Sequence, residues 1–205
     1  MQPSWSEYYK KVASQPHRPM TELAADLVGD LPAVAVDCGC GVGRDTTYLL
    51  NRGFKVHAFD KEQQAIEFCQ ERFKGHPYFQ ATQSCFVDFD YPTSSLVMAH
   101  SSLFFCPSQS FEAVWSKLLG SLPVDGVLSV DLLGVNDSWV TSPAHSVTAF
   151  TLEQAQELLI DFNVVELLER DEKGRTEMTA HYYMRVNIGG NLYRKMDRTL
   201  TPNQV

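Results

Sequence analysis

The stretch 33–60, AVAVDCGCGVGRDTTYLLNRGFKVHAFD, constrains this chain more than any other. Residues 33–38 form a short apolar run of the length a buried parallel strand needs. The run ends at Asp37 and Cys38, and Gly39, Gly41 and Gly43 follow at alternate positions. Residues 44–52 are helical in pattern, with Tyr48, Leu49 and Leu50 apolar and Gly53 at the stop. Residues 54–59 set Phe54, Val56 and Ala58 against Lys55 and His57, a second strand that Asp60 closes.

The order strand, glycine turn, helix, strand carries a chemistry. Glycines permit a tight turn and let bare backbone approach a ligand. The following helix points its free N–H groups at that ligand. An acid ending the second strand accepts hydrogen bonds from both hydroxyls of a ribose, which is the role this spacing predicts for Asp60. A dinucleotide fingerprint needs Gly-x-Gly-x-x-Gly. Here Gly43 comes one residue early and Arg44 holds its place, which disfavours a nicotinamide dehydrogenase. Asp37, just ahead of the glycines, suits a ligand with an ammonium group better than one with a pyrophosphate. Glycines that serve only a tight turn are the remaining alternative.

Asp37-Cys-Gly39-Cys-Gly41-Val-Gly43, followed by Asp60, resembles the first two motifs of the class I S-adenosylmethionine-dependent methyltransferases. The resemblance extends over roughly residues 5–190. It implies a Rossmann-like α/β three-layer sandwich, with a mostly parallel seven-stranded sheet and one antiparallel strand near the edge. It implies S-adenosyl-L-methionine as cofactor and places Asp37, Cys38, Gly39, Gly41, Gly43, Arg44, Asp60 and Lys61 around it. Asp88 matches the strand-end residue that meets the adenine amino group, with Phe89 packing on the base. Arg18 is a candidate fork for the methionine carboxylate.

Composition narrows the acceptor. The chain has 205 residues, 44% of them hydrophobic, enough for one domain with a sizeable core. A formal net charge of −8 disfavours steering of nucleic acid, so a small molecule is the expected partner. The five cysteines, Cys38, Cys40, Cys69, Cys85 and Cys106, show no CxxC pair, so they read as free thiols of a reducing compartment. No zinc-ligand spacing and no other metal site is expected. The N-terminus lacks an apolar signal segment, and no apolar run reaches membrane-span length. A soluble, cytoplasmic protein is expected.

Along the rest of the chain, residues 4–14 place Trp5, Tyr8 and Tyr9 on one helical face. In similar methyltransferases such a segment lies across the cofactor, so residues 1–30 are read as a helical lid. Pro16-His17-Arg18-Pro19 is a loop, and residues 20–28 are amphipathic with Leu23, Ala24, Leu27 and Val28 apolar. Helices are predicted over 62–73, 108–119 and 151–160, the last capped by Thr151. Further strands are predicted over 78–86, 95–100, 127–133, 164–170 and 181–188, and 191–205 reads as a loosely held tail.

The expected reaction is in-line methyl transfer to a small-molecule acceptor. The alternative is a regulatory protein that binds S-adenosylmethionine without transferring it. His100, ending the fourth strand, is the candidate general base and also borders the cofactor. Tyr8, Tyr9, Phe104, Asp137, Trp139 and His181 are the candidate substrate residues. The segment Gly134-Val-Asn-Asp137-Ser-Trp139 is similar to one in tellurite-resistance-type members. Those relatives often carry a Trp-His pair on the last strand, where this chain has His181-Tyr182-Tyr183-Met184.

Overall fold

The structure is a computed structural model and describes residues 5–143, 146–160, 162–173 and 180–189. Two N-terminal helices, α1 (Trp5–Val12) and α2 (Pro19–Leu27), precede β1 (Val34–Cys38), α3 (Arg44–Asn51), β2 (Lys55–Asp60), α4 (Gln63–Arg72) and β3 (Phe79–Gln83). There follow β4 (Leu96–Ala99), a 3-10 turn at Leu103–Phe105, α5 (Ser108–Gly120) and β5 (Val127–Gly134). The last elements are β6 (Ala149–Phe150), α6 (Leu152–Leu159), β7 (Val164–Lys173) and β8 (Ala180–Gly189).

The sheet runs β3-β2-β1-β4-β5-β8-β7, with β6 added as two residues beside the end of β5. Strands β1 to β5 pair in parallel, and β8 is antiparallel to both β5 and β7. Seven strands with one antiparallel strand next to the edge is the architecture expected; β6 had no counterpart in the pattern.

Period-two alternation feeds two cores. Val36, Cys38, Phe59, Val97, Leu128 and Val130 point to the face covered by Phe111, Trp115 and Leu118 of α5 and Ala155 and Leu159 of α6. Ala35, Val56, Ala58, Leu96 and Met98 point to the other face, against Ala24 and Ala25 of α2, Leu49 and Leu50 of α3, and Ile66 and Cys69 of α4. Because both faces are covered, these strands read as near-continuous apolar runs. The Thr151 hydroxyl accepts from the Gln154 N–H at 3.2 Å, and the Gln154 side chain accepts from the Thr151 N–H at 2.9 Å. That is the capping box expected at α6.

Most boundaries shift by a residue or two, β7 runs on to Lys173, and two differences bear on the site. Strand β3 ends at Gln83, and residues 86–88 form a turn closed by the Asp88 and Phe89 N–H groups on the Cys85 carbonyl. Arg18, extended, sits ahead of α2 with Pro19 at the first helical position, while Thr21 turns inward. The expected tail, 191–205, lies outside the described residues.

The strand order reverses between β1 and β4. In an open parallel sheet that reversal leaves a crevice at the carboxyl ends of the strands, bordered here by the loops after Cys38, Asp60 and Ala99.

Candidate active site

The glycine loop is built by close approach. Gly39 has φ +71°, and a Cβ there would stand 2.5 Å from Ser102 Cβ. The Gly39 and Cys40 N–H groups donate to the Phe59 carbonyl at 2.8 and 3.0 Å, so the loop folds back over β2. Gly43, at φ +72°, opens α3, where a Cβ would meet the Phe73 ring at 2.7 Å. The remaining glycine, Gly41, lies under Tyr9 of α1.

Asp60 ends β2 beside this loop and is 9% exposed. Its Oδ2 accepts from the Gly41 N–H at 2.9 Å and its Oδ1 from the Glu62 N–H at 3.0 Å. A carboxylate offers about four lone-pair sites, so each oxygen keeps one for another donor. Burial raises the Asp60 pKa, and the Glu62 and Gly41 N–H groups oppose the rise. Tyr9 is buried over the loop with Val12, Val42 and Ala65. Burial, then the Asp60 and Glu62 carboxylates, raise its phenol pKa far above the usual value.

A second cluster gathers at the first turn of α3. Asp37 is buried, and its Oδ2 accepts from the Thr46 hydroxyl at 2.6 Å. Burial and the neighbouring Asp45 carboxylate push its pKa from 3.8 up to about 6. Asp45, in the first turn of α3 and also buried, accepts from the Arg18 guanidinium, the Arg18 N–H (2.8 Å) and the Thr21 hydroxyl (2.9 Å). Burial by itself would raise the Asp45 pKa; the facing His100 imidazole and the charge of Arg18 hold it well below the usual carboxylate range.

His100 follows β4 and is 5% exposed. Its Nδ1 lies 3.5 Å from Thr21 Oγ1 and 3.6 Å from Asp45 Oδ2, and its Nε2 lies 2.7 Å from Ser129 Oγ. Both ring nitrogens are engaged with the protein. The geometry therefore gives His100 a place in the polar core and does not present it to an acceptor as a base.

Other expected positions divide. The Cys38 side chain is wholly buried under the α5 face, and only its carbonyl reaches the loop, accepting from Ser102 Oγ at 2.6 Å. Phe89 stacks on Phe59 at 4.3 Å between ring centroids and belongs to the core. Asp88 is exposed in the turn beyond the shortened β3, where its Oδ2 accepts from Cys85 Sγ at 3.0 Å. Lys61 is exposed, 4.0 Å from Glu62. Arg18 faces Asp45, and Arg44 Nε donates to the Pro16 carbonyl at 2.9 Å.

In the turn after β4, the Phe104 and Phe105 rings lie 4.8 Å apart, each with its centroid 5.7 Å from that of Trp139. Asp137 is buried, and its Oδ1 accepts from the Trp139 N–H at 2.8 Å, which sets the loop carrying the indole. Tyr8 is 38% exposed beside Tyr9. His181 stands opposite Glu172 in the register of β8 with β7, and its side chain lies outside the described residues.

Sequence reasoning missed Asp45, Ser102 and Ser129. An acid in a first helical turn reads as a partner of the helix dipole, and the residues that give Asp45 its role are distant in sequence. Among the described residues, no group of three or more His, Cys, Asp or Glu side chains is arranged to hold a metal. No helix among them is long and apolar enough to cross a membrane.

The doubly covered sheet, with an acid reaching across the strand ends to a glycine loop, is similar in fold to solved methyltransferases, and residues 35–126 match the family model described as a methyltransferase domain. The chain is 30% identical over 131 residues to trans-aconitate 2-methyltransferase of Rhodopseudomonas palustris (strain BisA53), covering 62% of this chain and 50% of that protein. It is 28% identical over 126 residues to the same enzyme of Acidovorax sp. (strain JS42), covering 60% and 47%. The chain thus spans about half the length of the curated relatives it matches. TehB from Haemophilus influenzae is similar in structure, with a TM-score of 0.71 at 16% identity over 91% of this chain and 66% of that one. So is the 1,6-didemethyltoxoflavin-N1-methyltransferase of Burkholderia thailandensis, solved with 1,6-didemethyltoxoflavin and S-adenosylhomocysteine; its TM-score is 0.64 at 18% identity, over 93% and 92%. Likeness at this level of identity concerns the fold.

Proposed function

We propose that this protein binds S-adenosylmethionine at the glycine loop and transfers its methyl group to a small-molecule acceptor. One observation carries the reading: the Asp60 carboxylate holds the Gly41 N–H and keeps a lone-pair site on each oxygen at the crevice. That donor set fits a ribose with two hydroxyls. The bare backbone at Gly39 and Gly41 fits close approach of the methionine part, and the Asp37 carboxyl suits an ammonium group. S-adenosylmethionine supplies an electrophilic methyl group on a sulfonium.

The chain's own work is positioning, which by itself supplies a large share of a displacement's acceleration. Asp60 orients the sugar, and Arg18, held by Asp45, is the candidate partner of the methionine carboxylate. Tyr9 and Val12 keep water off the loop. Phe104, Phe105 and Trp139 offer an apolar, aromatic wall to the acceptor. With His100 enclosed, the reading favours an acceptor atom that is already nucleophilic over one that must be deprotonated.

The chain is read as a single methyltransferase domain. A soluble cytoplasmic setting accords with five free thiols, and a small-molecule partner accords with the net charge of −8. The test is an acceptor screen that detects released S-adenosylhomocysteine. Its panel should hold trans-aconitate, heteroaromatic amines, thiols, tellurite and selenite. Turnover of any one supports the reading. Tight S-adenosylmethionine binding with no turnover across the panel would favour the regulatory alternative. Binding of NAD in preference to S-adenosylmethionine would overturn both.

A further inference from the structure

We infer that Asp45 is the positioning residue that latches the N-terminal lid and ties it to the acceptor end of the site. The inference deepens the cofactor reading above and rests on it only for the ligand used as probe.

The segment joining α1 to α2 is held by the His17 ring stacked on Tyr48 at 4.0 Å and by polar contacts at three places. Arg72 donates to the Ala13 carbonyl at 2.6 Å, Arg44 to the Pro16 carbonyl at 2.9 Å, and Arg18 and Thr21 both bind Asp45. The first two contacts are exposed, so solvent competes for them. The third is buried: Asp45 is 3% exposed and Thr21 fully enclosed. Low local dielectric strengthens a satisfied polar group there and penalises a broken one. The hold on residues 18–21 therefore resides mainly in one carboxylate.

That carboxylate also faces His100. With the Thr21 hydroxyl donating to Asp45 Oδ1, the groups around His100 Nδ1 are acceptors, Thr21 Oγ1 at 3.5 Å and Asp45 Oδ2 at 3.6 Å. They call for a proton on Nδ1, which leaves Nε2 to accept from Ser129 on β5. His100 leads directly into Ser101, a non-glycine residue at φ +53° whose N–H donates to Asp131 of β5 at 2.8 Å. From there the chain enters the Phe104–Phe105 turn. The chain thus runs from Tyr9 over the glycine loop to residues 18–21, which bind Asp45; Asp45 faces His100, and from His100 the chain leads to the aromatic wall. Asp45 is the one member that touches both the lid and His100 through its own side chain while belonging to α3, the helix that the glycine loop opens.

Asp45→Asn keeps the shape and one acceptor but removes the charge. Thr21→Val removes one hydroxyl at constant volume, and Thr21→Ser restores it. Hydrogen exchange over residues 7–21 should rise about tenfold or more in Asp45→Asn, relative to the α5 and β5 amides. The imidazole nitrogen resonances of His100 should move in both Asp45→Asn and Thr21→Val and return in Thr21→Ser. Titration with S-adenosylhomocysteine should show about tenfold weaker binding in Asp45→Asn. A role in stability alone predicts a lower melting temperature with unchanged lid exchange and unchanged imidazole signals, and that result overturns the inference. If Asp45→Asn does not fold, the Thr21 pair decides: unchanged exchange over residues 7–21 in Thr21→Val is then fatal. If the wild-type protein binds no S-adenosylhomocysteine, the proposed function fails, while the exchange and imidazole measurements still judge the latch.

Discussion

Replacing Asp60 by alanine removes two different things, and the structure separates their sizes. In the free protein it deletes the acceptor for two backbone N–H groups, those of Gly41 and Glu62, at 2.9 and 3.0 Å. Hydrogen bonds to charged groups contribute about 1.5–3 kcal/mol each. The site opens on a crevice, so water replaces part of this, and burial already raises the cost of the Asp60 charge. A net loss of about 2 kcal/mol is expected, a fall in Tm of roughly 4–8 °C for a domain of this size. In the complex, the same deletion removes the acceptor for two ribose hydroxyls, again with partial recovery by water. That gives about 2–3.5 kcal/mol, or roughly 20- to 300-fold weaker S-adenosylmethionine binding. Asp60→Asn keeps one carbonyl oxygen but turns an amide NH2 toward a backbone N–H, so it should fall between alanine and wild type in affinity. The assays are calorimetric titration at a temperature where both variants are folded and thermal unfolding without ligand. A folded Asp60→Ala protein that loses stability as expected yet binds with wild-type affinity would show that Asp60 only ties the loop to α4, and would refute the ribose assignment.

Asp37 gives a pH signature. Its folded pKa, about 6, lies above the ordinary 3.8, so the fold prefers the neutral carboxyl and is penalised as pH rises through that window. Asp37→Asn should be more stable than wild type above pH 6, by on the order of 2–3 kcal/mol, with the gain fading below pH 4, as read by denaturant titration across pH. A ligand ammonium needs the carboxylate, so wild-type S-adenosylhomocysteine affinity should weaken up to about tenfold per pH unit below 6, and the Asn variant should show a flat profile. Gly39→Ala meets both a left-handed backbone and a 2.5 Å approach to Ser102, whereas Gly53→Ala, at φ +83°, meets nothing within 4 Å. Chemical denaturation should show about 1–2 kcal/mol lost for Gly53→Ala and about 2–4 kcal/mol for Gly39→Ala. Thr151→Ala breaks the α6 capping box and should cost about 1 kcal/mol in thermal unfolding with ligand affinity untouched. Once an acceptor is known, Asp137→Ala should raise its KM by releasing Trp139, with cofactor affinity unchanged; a shift in cofactor affinity instead would place that loop on the other side of the site.

The unit from β1 to β2 was legible residue by residue because its determinants are local. Apolar runs, three glycines and a strand-end acid lie within 33–60, and their geometry follows from backbone sterics and period-two burial. The α6 cap was legible for the same reason, since Thr151 and Gln154 meet within one turn. Strand β3 was overextended because Phe86 and Phe89 look like strand residues, yet their rings are taken by Phe59, and that stack is visible only once β2 and the turn after β3 lie side by side. Cys38 and Phe89 carried motif positions and proved to be core. Arg18 was recognised as a charged residue near the site, but its partner Asp45 lies 27 positions away. His100 was a candidate strand-end base by its position, and only the fold shows Ser129, 29 positions on, engaging Nε2. Local sequence thus determined the glycine loop, the strand-end acid and the alternation of strands and helices, because each depends on neighbours along the chain. Only the tertiary structure decided which charges neutralise one another, because burial and ion pairing depend on which distant segments the sheet order brings within a few ångströms.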